Sequence, residues 1–254
     1  MNSEGGVRSF DSFATSLPKG ERRNPITHTQ APVTTGTSII AFEYDGGILM
    51  AADMLGSYGS LARYRSVPRL LKVNDKTVIG CMGDYADFQY LQAIIEQMEV
   101  DEACKDDGFQ TTARSLHSWL TRVLYNKRCK FDPLWTTFVV AGLDQDKPFL
   151  GFVDKLGTAY TDPIITTGYA SMLATPLIRK AVEDKLKDKN EKLTLAEARK
   201  VIEDSLTLMY YRDARASNKY QIAIIPSNGE ASIIEEPKTL LGDWSVAHLI
   251  KGYE

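Results

Sequence analysis

Two hydroxyls and a carboxylate stand on neighbouring strand-like runs of this chain. The first run is Gly36-Thr37-Ser38-Ile39-Ile40-Ala41-Phe42, and after a turn comes Ile48-Leu49-Met50-Ala51-Ala52-Asp53. A hydroxyl becomes a nucleophile only when a nearby base takes its proton, so the surroundings of Thr37 decide what it can do. On residue type alone a plain structural assignment stays open. Thr37 and Ser38 are then polar strand residues, Asp53 is a strand-end residue bonded to Arg69, and Asp213 caps a helix–loop junction. Other carriers of chemistry are sparse. His28, His117 and His248 are widely spaced and form no ligand pattern. Cys81, Cys104 and Cys129 are odd in number and lack CxxC spacing. Free thiols in a reducing compartment are expected, not a disulfide scaffold or a zinc site, and no cofactor is called for.

Composition narrows the class. The chain has 254 residues, 43% hydrophobic and 25% charged, which suits a single α/β domain or two small ones with an ample core. A net charge of −3 and the lack of a basic block argue against a nucleic-acid partner. No apolar run approaches the length of a membrane span, so no membrane association is expected. Residues 1–28 lack the apolar core of a signal peptide and contain Glu4, Asp11 and Glu21, against a mitochondrial leader. They read as a disordered extension.

The elements that must position these residues follow from periodicity and turn chemistry. Asp45-Gly46-Gly47 predicts a hairpin between strands 38–44 and 48–53, because such turns need positive φ. A second hairpin, 70–73 and 77–82, turns at Asn74-Asp75-Lys76. Gly83 and Asp84 lead into a helix with an apolar face of Phe88, Leu91, Ile94, Ile95 and Met98. Another helix carries Leu116, Trp119, Leu120, Val123 and Leu124, with Arg114, Arg122, Lys127 and Arg128 as a solvated face. Strands return at 135–141, 149–153, near Ala159 and at 164–167. A helical segment, containing Pro176, runs from about Tyr169 toward Leu186, and residues 187–192 read as a loop. Thr194 and Glu197 form a capping box ahead of a buried stripe of Ala198, Val201, Ile202, Leu208 and Met209. A last hairpin spans 220–225 and 231–234, and an irregular tail follows from Glu235. Strand blocks separated by helix pairs suggest an α+β fold, two antiparallel sheets face to face with helices outside, although periodicity alone admits other layerings.

Four segments in order carry a family likeness: residues 36–53, Leu55-Gly56-Ser57-Tyr58-Gly59-Ser60, residues 126–135, and Tyr210-Tyr211-Arg212-Asp213-Ala214-Arg215. Together they resemble β-type subunits of the proteasome, within them the non-catalytic class of the eukaryotic 20S core. The similarity spans Thr29 to about Tyr253. It implies a four-layer αββα sandwich of the N-terminal nucleophile hydrolase type, with a removed leader (1–28), a β domain (29–235) and a C-terminal arm (236–254).

In active members of that family a freed N-terminal threonine attacks the peptide carbonyl, with its own amine as base. The resemblance implies that Thr37 holds the nucleophile position, Asp53 the aspartate and Asp213 a supporting aspartate. Where a lysine is expected this chain has Arg69, which carries no proton at neutral pH. Gly168-Tyr169-Ala170 replaces a Gly-Ser-Gly pattern, and Ala216 replaces a serine. Members of this kind resemble Thr29-Gln30-Ala31-Pro32 at their mature start, which implies processing between His28 and Thr29. The nitrogen of Thr37 would then be an amide, without basicity. The expectation is a site with no catalytic residue, on a structural subunit that supports β-ring assembly for ATP- and ubiquitin-dependent protein degradation.

The alternative is an active threonine protease that cleaves itself at Gly36-Thr37. A third reading is a stand-alone amidase of the same fold. The resemblance implies other α and β subunits of the 20S core as partners, the opposite β ring and assembly chaperones among them, in cytoplasm and nucleus. The tail holds Leu240, Leu241, Trp244, Val246, Leu249, Ile250 and Tyr253, more large apolar groups than a solvated segment carries. It is expected to be a partner-binding arm.

Overall fold

The computed structural model describes residues 31–145, 147–189, 191–245, 247–249 and 252. The expected leader, with His28 and Thr29, lies outside the described residues, as do Val246, Ile250 and Tyr253 of the tail. In chain order the first elements are β1 (Thr34–Gly36), β2 (Ile39–Tyr44), β3 (Gly47–Asp53), β4 (Gly56–Tyr58) and β5 (Leu61–Tyr64). Then come β6 (Leu70–Asn74), β7 (Thr77–Asp84), α1 (Tyr85–Ala103), α2 (Ala113–Cys129), β8 (Thr136–Asp144) and β9 (Lys147–Val153). The chain continues with β10 (Ala159–Thr161), β11 (Ile164–Thr166), α3 (Ala170–Lys189), α4 (Leu195–Arg212), β12 (Lys219–Pro226), β13 (Ile233–Ile234) and β14 (Lys238–Thr239).

Two antiparallel sheets form. One has the order β10-β9-β8-β7-β1-β4-β5, with β6 also on β7; the other runs β11-β2-β3-β12-β13, with β14 also on β12. Strand alternation sorts the side chains into layers. Ile39 and Ala41 of β2 face Val78, Val139 and Leu150 between the sheets. Their neighbours Ile40 and Phe42 face Ala174, Ile178, Ile202 and Met209 beneath α3 and α4. On the other outer face Ile79, Cys81 and Phe138 meet Phe88, Leu91, Leu116 and Leu120 of α1 and α2. The result is the expected αββα sandwich. Strands β2 and β3 are covered on both faces, which is why they read as continuous apolar runs.

Helix starts are set by side-chain caps. Asp84 accepts from the Asp87 N–H and Thr112 from the Ser115 N–H, while Thr194 and Glu197 complete the capping box. Several sequence expectations need correction. Strands β1, β4 and β5 were not foreseen; three or four residues rich in Gly, Ser, Thr and Tyr show no alternation to read. Gly83 and Asp84 end β7 instead of lying outside it. Helix α3 passes through Pro176 and takes in Lys187 to Lys189, since lysine is a good helix former. On α4 the buried stripe uses Ser205 and Leu206, and Leu208 is only half-buried. The tail is not wholly irregular: Thr239 and Lys238 pair with Lys219 and Tyr220, too short a strand to show a period.

Candidate functional site

Between β1 and β2 the chain passes from one sheet to the other, and Thr37 and Ser38 are the two residues that make the crossing. On the upstream side β1 is tied by Thr35 to Asp84 and Ser57, and by Gly36 to Gly83. The foot of β3 brings Asp53, the residue before β6 is Arg69, and Asp213 is the C-cap of α4. Four residues spread over the sequence therefore converge at one end of the sandwich.

Arg69 is almost fully buried, at 2% exposure. Its Nε donates to the Asp53 carbonyl oxygen at 3.0 Å. Nη1 donates to the carbonyls of Thr37 at 2.6 Å and Cys81 at 3.2 Å. Nη2 donates to the Ser38 carbonyl at 3.1 Å and to Asp53 Oδ1. A guanidinium has five N–H donors, and all five are occupied. The side chain lies where a Cβ on Gly36 would be, 2.4 Å from Arg69 Cδ, so a bulkier residue before Thr37 would collide with it. The second Asp53 oxygen accepts from the Ser217 N–H at 2.7 Å. Burial pushes the Asp53 carboxyl above the usual carboxylate range, against the pull of Arg69 and the Ser217 N–H.

Thr37 points its hydroxyl at Asp213 and donates to Oδ2, while Asp213 Oδ1 accepts from the Arg215 N–H at 2.9 Å. Ser38 Oγ accepts from the Ala170 N–H at 3.2 Å, and Thr167 Oγ1 from the Ile39 N–H at 2.8 Å. Gly168 has φ of 59°, and a side chain there would press on Met82 and Ser38 Oγ. Next to it Tyr169 stands 64% exposed at the rim of a cleft of about 470 Å³, lined also by Thr37, Arg212, Asp213 and Arg215. Ala216 is half-buried against the layer beneath α4 and does not line the cleft. The structure thus gathers Thr37, Asp53, Arg69 and Asp213 and sets Tyr169 at the mouth, with Ala216 below.

Sequence reasoning missed Ser217 and Thr167, and nothing in the sequence points to them, because one acts through its backbone and the other on a backbone. It also missed Arg212 and Arg215 as cleft residues, although both lie in the segment that carries the family likeness. Among the described residues no histidine reaches the site. His117 Nε2 lies 3.0 Å from the Phe152 carbonyl, and burial lowers its pKa. Cys81 is buried beside Arg69, and burial pushes its thiol up, away from the reactive thiolate. All three cysteines are free. The arrangement offers a hydroxyl bonded to a carboxylate, a cation with every donor engaged, and a Thr37 nitrogen that is a peptide amide behind a paired strand.

The tail divides in two. Leu240 packs against the layer beneath α4, and its N–H donates to the Asn218 carbonyl at 2.7 Å. Trp244 stacks edge-on to Tyr211, ring centroids 5.2 Å apart, and the Asp243 N–H donates to Tyr211 Oη at 2.5 Å. Leu241 and Leu249, by contrast, are 94% and 67% exposed.

Residues 33–225 match the family described as proteasome subunit. A protein of Xenopus laevis named proteasome subunit beta type-4 is 46% identical over 230 residues, 91% of this chain and 92% of that relative. The beta type-4 subunit of Dictyostelium discoideum is 43% identical, covering 86% of this chain and 84% of its own. The beta type-7 subunit of Saccharomyces cerevisiae is 37% identical, covering 91% and 88%.

Proposed function

We propose, for a chain that belongs to the proteasome subunit family, the role of a β-type subunit of the 20S core that builds the proteolytic complex without cutting substrate itself. The relatives named beta type-4 match over most of their length as well as most of this chain, which supports that place in the complex.

The observation that carries the silent-site reading is Arg69. Active members of the family are expected to hold a lysine there, which tunes the nucleophile. Here a guanidinium fills the space and directs all five N–H groups to Asp53 and to the carbonyls of Asp53, Thr37, Ser38 and Cys81. It cannot lose a proton at neutral pH and has no donor left for a substrate. The Thr37 hydroxyl, bonded to Asp213, has no amine beside it as long as Gly36 precedes it.

On this reading the leader is removed before Thr29 by a neighbouring active subunit, since this site cannot process itself. The chain contributes ring contacts and chamber wall, works with the other α and β subunits and with assembly chaperones in cytoplasm and nucleus, and reaches the opposite β ring through its tail. The test is the N-terminus of the chain in purified core complex, read by intact mass. A start at Thr29 is expected. A start at Thr37 would restore the alternative, a threonine protease.

A further inference from the structure

Strand β4 holds β1 beside the site through Thr34 and Thr35, but the outer strand of its hairpin, β5, has no role there. All four residues of β5 are exposed. The strand closes one edge of the eight-stranded sheet, so its outer backbone groups have no ladder partner among the described residues. From Gly56 to Ser66 the sequence holds Arg63 and Arg65 and no Asp or Glu, in a chain whose net charge is −3. Lys219 adds a further cation, its Nζ donating to Ser66 Oγ at 2.9 Å.

The hairpin is also ordered in an unusual way for an exposed edge. The Arg63 guanidinium carbon sits 5.2 Å from the ring centroid of Tyr58 and 5.2 Å from that of Tyr64. Two rings thus hold a long cation in place without a carboxylate. No ion pair joins Arg63 or Arg65 to an acidic side chain among the described residues. Leu61 is 60% exposed between them, with Tyr58 at 47% and Tyr64 at 42%. Charges alone would guard a free edge against aggregation. A guard has no need of two tyrosines and a leucine laid open around a fixed arginine. Tyrosine and arginine are the residues enriched at protein interfaces and at their energetic centres.

We infer that this hairpin is a docking surface for an acidic surface of an adjoining subunit, one that seats Asp or Glu against Arg63 and Arg65 while Leu61, Tyr58 and Tyr64 pack around them. The inference rests on the reading of the chain as a subunit of a larger complex. Complementary charge sets both the partner and the register of such a contact.

The test uses full-length chain expressed with the other subunits of the complex. In one arm Leu61 is replaced by photoreactive benzoylphenylalanine, the purified complex is irradiated, and the cross-linked peptides are sequenced. A cross-link to an Asp- or Glu-containing peptide of a different subunit is expected. A cross-link to a second copy of this chain, to a peptide without acidic residues, or to nothing overturns the proposal. In the other arm R63E/R65E is expected to lower the fraction of the chain found in assembled complex about tenfold or more, because like charges then face each other. R63K/R65K, which keeps the charge, is expected to lose less. Incorporation of R63E/R65E at the wild-type level overturns the proposal. Wild-type chain missing from the complex would instead overturn the subunit reading itself, so the two failures are distinct. The cross-link, made on the otherwise unaltered chain, does not depend on how the charge-reversed variant folds.

Discussion

Thr37 donates its hydroxyl to Asp213, a residue 176 positions away and the C-cap of the last long helix. The other Asp213 oxygen is held by the Arg215 N–H. The bond ties the crossing between the two sheets to the end of α4 and closes the floor of the cleft. In this family the base is the free α-amine of the threonine, and with Gly36 in front of it the Thr37 nitrogen is an amide without basicity.

Thr37→Ala is therefore expected to leave every peptidase activity of the purified core complex near the wild-type level. Loss of one activity class with normal assembly would refute the silent-site reading. The lost hydrogen bond to a carboxylate should cost about 1.5–3 kcal/mol of stability, restored in Thr37→Ser.

Arg69 is a different matter. Its removal leaves Asp53 buried without its cation, and breaking a buried pair from one side costs about 3–5 kcal/mol. Against a total stability of about 5–15 kcal/mol, Arg69→Ala should fail to accumulate in assembled complex. Arg69→Lys keeps the charge but brings three donors to five acceptors, so its assembly yield on native gels should fall between the two. Arg69→Lys should gain no peptidase activity; a gain would mean that arginine alone keeps the site silent.

The base of the tail has its own pH dependence. Arg199 grips Glu235 with both terminal nitrogens and, together with Lys238, lowers its pKa from 4.5 to about 2. A depressed carboxylate contributes stability above its unfolded pKa and loses it as pH falls through the folded value. The contribution is thus full above about 4.5 and gone below about 2. The pair is partly solvated, so the amount is about 1 kcal/mol or less. Hydrogen exchange at Thr239 and Leu240 should rise as pH falls through that window, after correction for intrinsic rates. Glu235→Gln should show the faster exchange at neutral pH; unchanged protection would show that β14 is held by pairing alone.

Much of the sandwich was legible because two periods are written plainly into the chain. The apolar runs of β2 and β3 about the Asp45-Gly46-Gly47 turn, and the spaced Phe88, Leu91 and Ile95 of α1, declare their burial without help from the fold. Strands β1, β4 and β5 were not, because their few residues are specified by neighbours on the sheet and not by their own pattern. The site divides the same way. Thr37, Asp53, Arg69 and Asp213 could be named from residue types and family likeness. The saturation of Arg69 could not, since four of its five acceptors are backbone carbonyls that look alike at every position.

The tail, expected to be one arm, consists of a segment built into the domain and a segment laid open. Cutting after Pro237 would remove β14 and Leu240, which belong to the domain: Lys238 and Thr239 pair with β12, and Leu240 packs beneath α4. Leu240→Ala is thus expected to destabilise the domain itself, by about 2–5 kcal/mol at the upper end of burial and less for a half-buried residue. Beyond Trp244, which rests on Tyr210 and Tyr211, the picture changes. Leu249 is exposed, as is Leu241 just before the tryptophan, and each would gain roughly 1.5–3 kcal/mol on full burial, less the cost of ordering. Among the described residues nothing covers that surface, and on the proposed reading an adjoining β ring supplies the cover. Removal of residues 246–254 together with Leu241→Ala should leave the chain folded and incorporated while half-complexes accumulate. An unchanged ratio of half to full complexes on native gels would show that the outer tail does not join the two rings.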